Sequence, residues 1–227
     1  MAAPTPTTTS WTNSARTWSP RSAGEPLPRR DQARLRRWHL TNRANLPHLL
    51  GTNQFFTDLA GYARIHPGSA LERWWPAARC QQPGAFREPG DDLTVLAYHP
   101  TVRPDGHGIW TEHGRRVPVF VEFDNNTMPL HRLVDKIDGY VALARIYQRV
   151  WPVLFSLHSA ARERHLHHEL ADAGIRYPVA TTARDTTAQP ARSPAEAVWW
   201  LHRHDGGLLR LVDLAETIVD DSGQNAA

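Results

Sequence analysis

The chain has 227 residues, 41% hydrophobic and 22% charged, the composition of an ordinary globular protein with room for one sizeable core. No run of about 18 apolar residues occurs, so no membrane span is expected. The opening Met-Ala-Ala-Pro-Thr-Pro lacks the apolar stretch of a secretory signal. A single cysteine, Cys80, excludes an internal disulfide and fits a reducing compartment, which makes the expected location cytoplasmic.

The formal net charge is +3, and of the 26 Lys and Arg residues only position 136 is Lys. Arg serves as a general cation, whereas Lys offers a compact point charge and an amine whose pKa shifts readily. A solitary Lys in an Arg-rich chain therefore marks a place to look for chemistry, the alternative being one surviving surface Lys.

In chain order, residues 1–28 are rich in Pro, Thr, Ser and Ala and predict a disordered leader. Residues 29–44 form an Arg-rich arm carrying Arg29, Arg30, Arg34, Arg36, Arg37 and Arg43, interleaved with Leu35, Trp38 and Leu40. The arm suits DNA phosphates, or else forms a solvated helix face. Residues 45–219 read as one α/β domain, and 220–227 as a disordered tail.

Within the domain, Thr52 is expected to cap a helix with Phe55, Phe56, Leu59 and Tyr62 on one face, ended by Pro67-Gly68. Asn53 is read mainly as a cap as well. Leu71–Trp75 is a short strand, and Leu93–Tyr98 a strand or strand edge. Residues 106–124 predict a β-hairpin turning at His113-Gly114. Its return strand is nearly all apolar, as expected for burial on both faces.

Asn125-Asn126-Thr127 should cap a long helix with Pro129 in its first turn. Leu130, Leu133, Val134, Ile137, Val141 and Ala144 mark its buried stripe. A strand over Trp151–Leu157, a helix over 160–173, a strand over Tyr177–Thr182, an apolar Ala197–Leu201 segment and a helix over Leu208–Val219 complete the pattern. Helices alternating with buried strands imply a mixed central sheet flanked by helices.

The candidate chemistry lies in Arg103-Pro104-Asp105, Glu122-Phe123-Asp124 and Lys136. An antiparallel hairpin brings the start of one strand beside the end of the other, so Asp105 approaches Glu122. Glu122 and Asp124 share a face because strand side chains alternate. Converging carboxylates repel one another unless a cation joins them. Mg2+ suits, since it takes one or two carboxylates with waters and phosphate oxygens. Lys136, at the edge of the helix stripe, can reach the same place. The alternative is an ion-pair network in which Lys136 and Arg103 only neutralise Asp105 and Glu122.

His48 and Asn53 near the first helix, with Arg103 and Tyr140, are possible substrate contacts. His165, His167 and His168 lack a third ligand or a Cys for zinc and read as a solvated helix face.

These motifs resemble the PD-(D/E)xK phosphodiesterase pattern on its restriction-endonuclease-like αβββαβ core. Over about Asn45–Leu201 the chain resembles, more specifically, the replication-relaxation family of actinobacterial plasmids and mobile elements. The supporting stretches are His48-Leu-Leu-Gly-Thr-Asn-Gln-Phe-Phe, Leu71-Glu-Arg-Trp-Trp, Arg103-Pro-Asp-Gly-His-Gly-Ile-Trp, Glu122-Phe-Asp-Asn-Asn-Thr and Lys136-Ile-Asp-Gly-Tyr.

The resemblance implies a DNA-processing role in replication, relaxation or transfer. Asp105 and Glu122 would be metal ligands, Asp124 a supporting ligand and Lys136 the residue positioning water; the other possibility is a DNA-binding or relaxosome accessory protein without turnover. The Lys usual two residues after the Glu is Asp124 here, so Lys136 would substitute from the helix. Family members resemble proteins with a winged-helix module ahead of the core. With about 45 residues before it, this chain reads as a truncated member whose DNA contacts fall to the arm or to a winged-helix or relaxase partner.

Overall fold

A computed structural model of the chain describes residues 31, 32, 34, 46–187 and 192–216. The chain divides into two compact units, Met1–Thr41 and Asn42–Ala227. In the first, Asp31, Gln32 and Arg34 are helical and exposed. Arg29, Arg30, Arg36, Arg37 and Arg43, with the leader and the tail, lie outside the described residues.

The second unit is a mixed α/β fold. Its elements begin α1 (Leu46–Ile65), β1 (Ser69–Pro76), α2 (Ala77–Cys80), β2 (Gly106–Glu112) and β3 (Arg115–Phe123). They continue with α3 (Leu130–Tyr147), β4 (Val153–Leu157), α4 (Ala160–Asp172), β5 (Val179–Ala183), α5 (Arg184–Thr187) and β6 (Trp200–Leu201). The six strands lie in sequence order. β1, β2 and β3 run antiparallel, β3, β4 and β5 parallel, and β6 returns antiparallel.

The alternation of β3 sorts its side chains between two cores. Phe120 faces a cluster with Leu133, Ile137, Tyr140 and Leu143 of α3 and Leu166 and Leu170 of α4. Val117, Val119 and Val121 face Phe55, Phe56 and Leu59 of α1 and the segment from Ala195 to Leu214. Two-sided burial explains why this strand reads as a continuous apolar run. No helix among the described residues is long and apolar enough to cross a membrane.

Four expectations are corrected. Pro129 is itself the N-cap of α3, with no side-chain cap bond, so Asn125-Asn126-Thr127 does not cap that helix. The first helix begins at Leu46, so Thr52 and Asn53 are interior; the Thr52 hydroxyl donates to the His48 carbonyl within the helix. Leu93–Ala97 is a 3-10 helix rather than a strand, because the Asp92 carboxylate captures the Thr94 N–H and turns the chain. The helix expected from Leu208 starts late: Leu209 pairs with Trp199, Leu211–Asp213 is 3-10 and only then are residues 214–216 helical, the Asp213 carboxylate accepting from the Arg210 N–H at the turn.

Two close approaches set the site. A Cβ at Gly51 would lie 2.0 Å from the Phe123 ring, and one at Gly139 would lie 2.8 Å from the Val102 side chain. Both glycines let backbone press where a larger residue would hold it away. Gly51 seats α1 on the end of β3, and Gly139 brings the segment leading to Asp105 against α3.

Candidate functional site

The site forms where β2 begins and β3 ends. The Asp105 N–H donates to the Val121 carbonyl at 3.1 Å, and the Phe123 N–H returns a bond to Asp105 Oδ2 at 2.9 Å. Asp105 thus stands across from Glu122. Its other oxygen meets His48 Nε2 of α1 at 2.9 Å.

Glu122 is engaged from α3. It is 3% exposed, and each oxygen has a donor: Lys136 Nζ at 2.6 Å and Tyr140 Oη at 2.5 Å. Lys136 and Tyr140 are four apart, so one helix face presents both. Asp105, Glu122, Lys136, Tyr140 and His48 are therefore one cluster. Arg103 is exposed and Asn53 half-buried on α1; neither has a hydrogen bond or ion pair drawn into the cluster.

The electrostatics are uneven. Burial pushes the Glu122 carboxyl up to about 7, with Lys136 pulling it down and Asp105 adding to the rise. Burial alone would also raise Asp105, but the His48 hydrogen bond and the Phe123 N–H outweigh it and hold that carboxyl below its ordinary value. The bond to Asp105 raises His48 in turn, against its partial burial. Burial carries the Tyr140 hydroxyl well above its usual range, so it acts as a donor. The pair thus offers one carboxylate held ionised and one that exchanges its proton near neutrality.

Asp124 follows Glu122 by two residues, just beyond β3, but belongs to another set of bonds. Arg162 Nε reaches its Oδ2 at 2.5 Å and Nη2 its Oδ1 at 3.1 Å, while the Asn126 N–H also donates to it. Arg162 holds the Met128 carbonyl too, at 2.5 Å. Arg184 donates to the carbonyls of Ser156 and Asp124 at 2.5 and 2.7 Å and lies 4.0 Å over the Phe123 ring. Arg162, Arg184 and the role of Tyr140 were missed by the sequence reading. The usable signal was positional: ligands of parallel sheets gather at the carboxyl ends of the strands, where both arginines begin helices.

Among the described residues, no three His, Cys, Asp or Glu side chains are arranged to hold a metal ion. Asp105 and Glu122 nonetheless fit a hard cation in kind, because Mg2+ needs only one or two carboxylates beside water and phosphate oxygens. Each carboxylate has about four lone-pair sites, and the bonds just described occupy two on each.

One histidine expectation is corrected. His165 and His168 are exposed, but His167 is buried and stacked on Trp200 at 3.7 Å. Its Nε2 meets Thr181 Oγ1 at 2.9 Å, and burial lowers it to about 4, so it is a core residue.

No curated protein and no solved structure matches the chain. A family model described as replication-relaxation matches residues 12–154, more than half of the sequence. The chain therefore belongs to the replication-relaxation family, which points to a role on DNA in plasmid or mobile-element replication or relaxation.

Proposed function

We propose that this chain nicks plasmid or mobile-element DNA as a metal-dependent phosphodiesterase, with a divalent cation such as Mg2+ held by Asp105 and Glu122. The observation that carries this reading is the Lys136 amine, 2.6 Å from the buried Glu122 carboxylate that stands across from Asp105. The order α1-β1-β2-β3-α3-β4, with β1 to β3 antiparallel and β4 parallel to β3, supports a restriction-endonuclease-like core beneath it.

When bound, the cation would supply Lewis acidity and lower the pKa of a water. The chain's own residues prepare the rest. His48 orients Asp105, Tyr140 orients Glu122, and Lys136 offers a fixed positive charge against the negative charge that builds on phosphate oxygens. Asp124, expected as a supporting ligand, acts through Arg162 by fixing the turn after β3. The Arg-rich arm, with a winged-helix or relaxase partner, would add sequence-independent grip on DNA.

One observation favours a second reading, a DNA-binding accessory protein without turnover. The position two residues after Glu122, where the motif places its Lys, is Asp124, and Arg162 locks it. A nicking assay on supercoiled plasmid with and without Mg2+ separates the two. The first reading expects Mg2+-dependent nicking, abolished by Asp105→Ala and by Lys136→Ala. Nicking that survives both changes removes this site, and salt-sensitive binding without nicking selects the accessory protein.

A further inference from the structure

Beside Lys136 lies a shallow, open depression of about 570 Å3, lined by Thr127, Met128, Pro129, Arg132, Asp135 and Lys136. That is the size of a small-ligand site, and it opens next to the cluster, since Lys136 belongs to both. It is lined by the turn before α3 and by the first two turns of that helix. Arg162 pins the turn before α3 at two points, the Asp124 carboxylate and the Met128 carbonyl, so the depression is preformed.

Three features define its occupant. Arg132 is exposed, and its guanidinium has no hydrogen-bond, ion-pair or ring partner among the described residues. Lys136 is paired with Glu122, so Arg132 is the unpaired cation among the residues lining this depression. Met128 is 40% exposed and, with Pro129, gives apolar surface in the same depression. A free guanidinium beside apolar surface, in a space of this size, matches one nucleotide, with its phosphate on Arg132 and its base or sugar over Met128 and Pro129.

An intact duplex cannot fill the depression in this way. Its phosphates lie on the outside of a stiff cylinder, and its bases reach a side pocket only after leaving the stack. We infer that the depression at Arg132 and Met128 receives one unpaired nucleotide of DNA, so that the preferred substrate is single-stranded or locally unpaired. This rests on the DNA-processing reading for its substrate, but its test reads binding and not cleavage.

Fluorescence anisotropy without divalent cation, on a labelled duplex and on the same duplex carrying a bulged nucleotide, gives that readout. The wild-type chain is expected to bind the bulged form about tenfold more tightly, because the cost of unstacking is already met. Arg132→Gln should bring the ratio close to one and make the salt dependence of bulge binding shallower by about 0.7 in log–log slope. Met128→Ser should lower the ratio severalfold, and Asp135→Asn should raise bulge affinity by removing a nearby negative charge. Arg132 and Asp135 are exposed, so these changes leave the fold intact.

Equal affinity for both DNAs in the wild type, or a preference untouched by Arg132→Gln, overturns the inference. Loss of nicking with the binding preference intact would count against the catalytic reading alone.

Discussion

Glu122 near the end of β3 and Asp124 just beyond it stand two residues apart, both nearly buried, yet they meet different cations. Asp124 receives the planar fork of Arg162 on both oxygens. Glu122 receives a single amine and a phenol, on separate oxygens. The fork holds its carboxylate in one geometry; the amine is a point charge that can turn toward another oxygen. The first pair fixes a turn, while the second keeps lone pairs and a movable proton, with Glu122 at about 7. Near-equal burial two residues apart therefore yields a brace and a candidate reactive centre, and the partner decides which.

The sharpest way to break that contrast is to remove each cation. Lys136→Met should reduce Mg2+-dependent nicking by about a hundredfold or more, the scale for deleting one preorganised charge, and should carry the Glu122 midpoint higher still. Arg162→Met should do something else: leave Asp124 buried without its partner and cost about 3 kcal/mol in denaturant unfolding, with the Glu122 titration unchanged. If both variants lose activity with stability intact, the division between brace and centre is wrong.

The pH dependence sharpens the contrast further. The Glu122 carboxyl is raised from its ordinary 4.5 to about 7, so the folded state binds its proton more tightly than the unfolded chain. Stability from this group is greatest below about 4.5 and falls as pH rises to about 7. Asp105, held below 3.8, acts oppositely: its contribution is present above that pH and is lost as pH falls further. Thermal melts of Glu122→Gln should therefore be flatter than wild type between pH 4.5 and 7 and unchanged in the acid limb. A smaller effect is expected from Arg184→Ala, which removes a donor from the Asp124 carbonyl, while the Ser156 carbonyl keeps the Asp124 N–H, and should cost about 1 kcal/mol.

Much of the fold was legible because β2, β3 and α3 carry clean periodicities. The run from Val117 to Phe123 is apolar on both faces apart from Glu122, since both faces are covered. The Lys136–Tyr140 spacing is one helical turn, so the approach of an amine to the hairpin could be reasoned from sequence alone. Leu93–Tyr98 was misleading because its apolar residues serve partly as surface: Leu93 and Leu96 are exposed, and only Val95 is buried. Local capture of Thr94 by Asp92 decided its shape. The helix start at Leu46 was in fact signalled by Asn45, a favoured cap residue type, and by Pro47 in the first turn, but Thr52 offered a second cap closer to the aromatic stripe. Asp124 was read as a candidate ligand because its partner, Arg162, is 38 positions away, and a pairing across an intervening helix and strand leaves no periodic trace.

The account depends on Asp105 and Glu122 holding a cation together beside Lys136. Carbon-detected NMR titration of the Glu122 carboxyl, with and without Mg2+, tests this most directly, using Asp105→Asn as the control. The account predicts a midpoint near 7 without the ion and a clear downward displacement with it, because a cation favours the ionised form; the displacement should largely vanish in the control. A Glu122 midpoint that does not respond to Mg2+ would contradict the metal site and leave the Lys136–Glu122 pair as an architectural contact.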